Sequence, residues 1–221
     1  MRLEHRMLEK ELMEGEEAEA YAGSDFSIPH NAFVDHFIEL FLDFTEGLVA
    51  DVGCGSCGPT IRLAKKLQGL TITGIDGSDK MLELARKAID KEGLVDRVRL
   101  IKRILPDITG LSGIFDAIIS NSWLHQVHEV EKALPTMAEL AKRGAILMGM
   151  DLFRPVSTER AHELVAMHAK GAPEQMKVDF YNSLLAALTP TELVAELKKA
   201  GLGHLAVEVV SNRHMIFYGR R

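Results

Sequence analysis

The stretch Val49-Ala50-Asp51-Val52-Gly53-Cys54-Gly55-Ser56-Cys57-Gly58 decides how the rest of the chain is read. Leu48, Val49 and Val52 form a short apolar run of strand-type residues bounded by glycines, the pattern of a buried parallel strand. Gly53, Gly55 and Gly58 then demand a tight turn. Pro59 and Thr60 follow, and Ile61, Leu63, Ala64 and Leu67 give the apolar stripe of a helix. Proline suits the first helical position, where the missing N–H costs nothing. Strand, glycine turn and helix start together predict a cradle for the polar part of a nucleotide-like cofactor. The glycines let the backbone come close, and free N–H groups at the helix start favour a negative group.

Two cofactor classes use this device. The three glycines fit the dinucleotide spacing G-x-G-x-x-G, which alone is a weak signal. Asp51 argues the other way, because a carboxylate two residues before the first glycine suits a cationic amino group and is unwelcome near a pyrophosphate. The stretch resembles motif I of the class I S-adenosylmethionine-dependent methyltransferases, an acidic residue followed by G-x-G-x-G, with Cys57 at the third glycine. The resemblance implies a Rossmann-like enzyme of the small-molecule type. Its cofactor would be S-adenosyl-L-methionine, with Asp51, Gly53, Cys54 and Gly55 at the methionine end. An NAD-dependent oxidoreductase is the alternative from another enzyme class. A non-catalytic, methyltransferase-like binding subunit is the alternative outside enzymes.

Outward from this centre, Leu70 to Ile75 reads as a second strand ending in Asp76. A carboxylate there, some 20 residues past the glycines, can accept hydrogen bonds from two ribose hydroxyls. Ser78 is the better cap for the next helix, whose apolar face is Met81, Leu82, Ala85 and Ile89. By the resemblance, Gly77, Ser78 and Met81 lie near the nucleoside. A third strand, Val98 to Ile101, is followed by Ile104 where many family members place an acid. Adenine recognition is therefore expected from backbone and apolar contacts of Ile104 and Leu105. Phe115 to Ser120 resembles the family's motif IV. Asn121, Ser122, Trp123 and His125 follow at the carboxyl end of that strand, where open α/β sheets bind ligands. His125 is the candidate general base, since histidine titrates near neutral pH; shaping the loop by a backbone hydrogen bond is the other role open to it. Trp123 is a candidate substrate-binding residue that could stack on adenine or face the sulfonium charge, with core packing the other role open to it.

The helix Val130 to Lys142 carries Pro135, read as a kink or a late start. A fifth strand is expected over Ala145 to Met150. A cover insertion is expected over about residues 151–189. There Arg154, Tyr181 and Asn182, with Arg213 further on, are the polar groups available to a substrate or to ion pairs with Asp151 or Asp179. Thr189-Pro190-Thr191-Glu192 forms a capping box opening the last helix. Leu205 to Val210 and Met215 to Tyr218 are joined too closely to be parallel. The fold class expected is α/β, a seven-stranded, mostly parallel doubly wound sheet with an antiparallel last strand and helices on both faces. The division expected is an N-terminal helical arm and cover over residues 1–46 and the cofactor-binding domain over 47–221. Asp25 to Pro29 reads as a turn, and Tyr21 and Phe26 as groups closing over the cofactor.

At 221 residues and 47% hydrophobic content the chain can bury one ample core. The net charge of −6 disfavours a nucleic-acid substrate. The start is charged from Arg2 and no apolar run reaches bilayer length, so no membrane partner and a cytoplasmic location are expected. Cys54 and Cys57, the only cysteines, form C-x-x-C; small residues packed beneath a cofactor account for them better than redox or metal chemistry. His125 and His128 lack a completing acid or cysteine, so no metal is expected. The expected partner is a small-molecule methyl acceptor, with a homodimer as the assembly to test.

Overall fold

The computed structural model describes residues 3–221. The organising stretch lies at the middle of the sheet: β1 (Glu46–Val52) pairs in parallel with β2 (Gly69–Asp76) on one side and with β4 (Phe115–Asn121) on the other. Strand β3 (Val98–Lys102) extends the first side and β5 (Ala141–Leu152) the second. Strand β7 (His214–Arg220) runs antiparallel between β5 and β6 (Ala206–Val209). The order is β3-β2-β1-β4-β5-β7-β6, the seven-stranded sheet with an antiparallel last strand that the sequence predicts. Chain order reverses between β1 and β4, so a crevice opens at their carboxyl ends.

Alternation along the strands supplies a core on each face. Val49, Ile119 and Met148 point to the side of α2 (Ser27–Leu40), α3 (Gly58–Lys66) and α4 (Asp79–Lys91). Ala50, Ile118 and Leu147 point to α5 (Val130–Leu140) and α8 (Pro190–Lys199). Fully buried Phe33, Phe37, Leu134 and Met137 tie these helices down, each contributing about 1.5–3 kcal/mol. The remaining helices are α1 (Gly15–Ala22), α6 (Thr158–His168) and α7 (Glu174–Ala186). Among the described residues, no helix is long and apolar enough to cross a membrane.

Several local expectations change. Helix α2 begins inside the stretch read as a turn; what remains of the turn is Asp25, whose Oδ1 accepts from the Ser27 N–H at 2.8 Å. Its Phe33, Val34 and Phe37 share one core with Leu63, Ala64 and Val49, so the division at 46/47 cuts through packed structure. Only residues 3–13 behave as an arm. Pro135 neither delays nor ends α5, which runs from Val130 with the proline inside, and Thr136 Oγ1 donates to the Lys132 carbonyl at 2.7 Å. Strand β5 begins at Ala141, four residues early, because the pairing with β4 shifts register between Phe115 and Ala117. The segment 151–189 is not a detachable flap: Leu164, Leu184 and Leu185 bury against Leu152 in a third cluster.

The capping box forms as predicted, with Glu192 N–H donating to Thr189 Oγ1 at 3.2 Å and Thr189 N–H to Glu192 Oε2 at 2.8 Å. Thr189→Ala is expected to cost about 1 kcal/mol, read from the urea midpoint at unchanged m-value.

Candidate functional site

The glycine turn closes on itself through the Gly53 and Cys54 N–H groups, which donate to the Ile75 carbonyl at 2.8 and 3.1 Å. Cys57 takes the left-handed conformation, φ 64°, that a glycine holds most easily. Gly53, at φ +69°, packs closely against the Trp123 side chain. At the end of β1, Asp51 is buried, and among the described residues its only side-chain partner is the Thr60 hydroxyl. Burial pushes its pKa up to about 7, against the pull of that hydrogen bond. Asp76 closes β2, accepting from Gly55 N–H and Ser78 N–H, both at 2.9 Å. Ser78 caps α4 as expected, its hydroxyl accepting from Met81 N–H at 3.1 Å.

One cavity of about 1020 Å³ runs along this carboxyl edge. It brings together Tyr21, Asp51, Gly53, Cys54, Gly55, Asp76, Gly77, Met81, Ile104, Leu105, Asn121, Ser122, Trp123, His125 and Arg213 from the sequence-predicted set. Ser78 stands behind it as a cap. Tyr21 packs on Phe26 at 4.6 Å, and burial raises its phenol to about 12. Asn121 Oδ1 is buried and has no partner among the described residues, leaving an acceptor for a ligand N–H or O–H.

At the far end, His125 Nδ1 meets Asp151 Oδ1 at 2.5 Å, and Asp151 Oδ2 accepts from Leu124 N–H at 2.6 Å. The Leu152 N–H donates to Asp151 Oδ1 at 2.7 Å. Burial pulls the His125 pKa down, but the carboxylates of Asp151 and Glu9 outweigh it and the net shift is upward. For Asp151 the same pairing with His125 and the two N–H donors outweighs burial, and its pKa is lowered.

Arm residues 3–13 cross this edge as a strap. Arg6 Nε donates to the Ala186 carbonyl at 2.6 Å, and Nη2 reaches the carbonyls of His125 and Val127 at 3.1 and 3.0 Å. Glu9 Oε1 lies 3.5 Å from His125 Nε2, while Glu9 Oε2 accepts from Ser183 Oγ at 3.2 Å. Burial raises the Glu9 pKa. Farther along, Ser78 Oγ donates to the Met13 carbonyl at 2.6 Å, and a Cβ on Gly77 would meet Ile104 at 2.7 Å and Leu12 at 2.8 Å. His128 turns away from His125, its Nε2 on the Glu9 carbonyl at 2.6 Å.

Three residues expected at a substrate lie off the cavity. Arg154 is buried, donating to the Ala187 carbonyl at 2.9 Å and to Glu192 at 2.5 Å, so it ties the 151–189 segment to α8. Tyr181 stacks on His162 at 4.5 Å, and Asn182 is exposed on α7. Arg6 and Glu9 carry no signal in the sequence, whereas His214, like Arg213 a polar group expected on the ligand side, lines the cavity.

These residues fit the cofactor that the resemblance implies. The buried Asp51 has no cation partner among the described residues, and Asp76 stands at the end of β2 beside an uncrowded Gly55.

Comparison with known proteins agrees. Residues 49–144 match the family model described as a methyltransferase domain. With the sheet order, this match makes the chain similar to the class I S-adenosylmethionine-dependent methyltransferases. A release factor glutamine methyltransferase of Rhodopirellula baltica is 33% identical over 103 residues, 47% of this chain and 35% of that protein. A trans-aconitate 2-methyltransferase of Delftia acidovorans is 33% identical over 127 residues, 56% of this chain and 45% of that protein. The chain thus spans less than half the length of either relative. A putative S-adenosyl-L-methionine-dependent methyltransferase of Methanococcus maripaludis superposes with a TM-score of 0.70 at 19% identity, covering 94% of this chain and 95% of that one. At that identity the likeness speaks for the fold alone.

Proposed function

We infer that the protein transfers a methyl group from S-adenosylmethionine to a small-molecule acceptor enclosed beneath the arm. The observation that carries this reading is one continuous cavity running from Asp76 and the glycine turn to His125, which Asp151 holds. Cover of the cavity by Glu11, Leu12 and Met13 of the arm supports a small acceptor over a protein side chain, although the Rhodopirellula relative is named for a protein substrate.

Bound S-adenosylmethionine supplies an electrophilic methyl on a sulfonium. The chain's own residues hold, orient and deprotonate. Asp51 suits the cationic amino group, and a neighbouring cation would draw its carboxyl back toward the ionised form. Asp76 suits the ribose hydroxyls, and Leu12, Met13 and Ile104 exclude water from the nucleoside end. Near-attack placement supplies most of the acceleration of an in-line displacement. His125 Nε2 takes the acceptor's proton while Asp151 fixes the ring through Nδ1.

Titration of the purified protein with S-adenosylmethionine and with NADH decides between the two cofactor classes; heat release with NADH alone refutes this reading. Asp76→Ala is expected to weaken S-adenosylmethionine binding by about 1.5–3 kcal/mol. Labelled cofactor incubated with a metabolite extract, followed by mass spectrometry, identifies the acceptor. Absence of any methylated product together with a co-purifying catalytic partner would instead favour a binding subunit.

A further inference from the structure

Arg213 enters from the turn before β7 and lines the cavity. Its Nη1 lies against His168 Nδ1, a neutral partner that leaves the charge uncompensated. Neither carboxylate within the sequence's expectation pairs with it. Asp151 is held by His125, and Asp179 Oδ1 accepts from Gln175 Nε2 at 2.8 Å. Burial lowers the Arg213 pKa, and among the described residues no charged neighbour raises it. A half-buried guanidinium without an anion is costly unless a ligand supplies one. Its fork matches the paired oxygens of a carboxylate or phosphate.

The surroundings say what carries that anion. Leu152, Met167, Met176 and Phe180 line the same cavity and are apolar. His214 pairs across the sheet with Leu152, next to the Asp151 that holds His125, so the edge runs from His125 past His214 to Arg213. His214 Nδ1 is engaged by Ser211 Oγ at 3.1 Å, and burial beside Arg213 lowers its pKa to about 4, leaving it uncharged. We propose that Arg213 anchors an oxyanion at the far end of the methyl acceptor, which is a small apolar molecule bearing a carboxylate or phosphate tail. The anion is the anchor, and a different atom of the acceptor faces His125. The proposal rests on the methyltransferase reading of the cavity.

The test titrates hexanoate, hexyl phosphate and hexanol into the protein by calorimetry, with and without saturating S-adenosylhomocysteine. Wild type is compared with Arg213→Gln and Arg213→Lys. At least one anion is expected to bind wild type tenfold or more tightly than hexanol. Arg213→Gln is expected to lose that preference and Arg213→Lys to keep part of it, with S-adenosylhomocysteine affinity within twofold in all three. Tighter hexanoate identifies a carboxylate tail; tighter hexyl phosphate identifies a phosphate. Anions binding wild type no better than hexanol, or binding Arg213→Gln equally well, overturn the proposal. Failure of wild type to bind S-adenosylhomocysteine would strike the methyltransferase reading instead, and the titrations without it still report on Arg213.

Discussion

His125→Ala is expected to lower turnover about 10²–10⁴-fold, the usual contribution of a positioned base, with a much smaller effect on S-adenosylmethionine affinity. Asp151→Asn is expected to lower turnover too, and to move its pH dependence. A base must be neutral to accept a proton, so turnover rises with pH through the His125 pKa. Asp151 and Glu9 hold that pKa above its ordinary 6.5 against burial. Asp151→Asn or Glu9→Gln removes one raising charge, and the acid limb of the profile shifts to lower pH in either variant. Stability follows the opposite sign. A histidine with a raised folded pKa contributes stability that is complete below about 6.5 and lost as pH rises through the folded value. Asp151, with a lowered pKa, contributes stability above its ordinary 3.8 that is lost on acidification. Wild type is therefore expected to resist urea better near pH 5–6 than near pH 8–9 on account of this pair, and His125→Ala to lose that difference. A rate–pH profile for Asp151→Asn superposing on wild type after scaling would exclude Asp151 as the group that sets the His125 pKa.

What the sequence made legible is what local pattern encodes. The glycine turn, the Asp76 terminus, the Ser78 cap and the Thr189–Glu192 box each depend on neighbours within a few positions, and each stands where expected. The sheet order follows from strand patterns and the family likeness. The His125–Asp151 pair spans 26 residues and depends on β4 and β5 lying side by side, Asn121 opposite Met150. Knowing that His125 follows β4 and that Asp151 ends the adjacent parallel β5 would have suggested it. The strap had no such signal. Residues 3–13 carry alternating charges without periodicity, and Arg6 and Glu9 gain their roles only from contacts 116 and more residues away. Arg154 was misplaced for a related reason: a long cation after a strand reads equally as a ligand group or as a tie to a distant helix. Here Glu192, already fixed by the capping box, decides in favour of the tie.

Gly53→Ala tests the joint between the cofactor turn and the catalytic loop, and it is expected to be among the most damaging substitutions of the chain. Two costs add. The position sits at φ +69°, where a side chain costs about 1–2 kcal/mol. The new Cβ would also lie 2.2 Å from Trp123 Cδ1 and 2.7 Å from Trp123 Cβ, too near the root of the side chain for a rotamer change alone to clear. Overpacking of this kind costs about 1–3 kcal/mol more. Because Trp123 stands two residues before His125, relief by moving the indole displaces His125 together with the turn. S-adenosylhomocysteine affinity and turnover are both expected to fall. Gly55→Ala is the control for the first cost, since its Cβ meets nothing within 4 Å at φ +51°. The second cost is isolated by a double-mutant cycle with Trp123→Ala. In the alanine background Gly53→Ala is expected to cost about as much stability as Gly55→Ala does in wild type, at least about 1 kcal/mol less than in the presence of the indole. Equal urea-derived costs with and without Trp123 would show that the indole does not press on the turn, and the coupling of cofactor cradle to catalytic loop through this contact would fall with it.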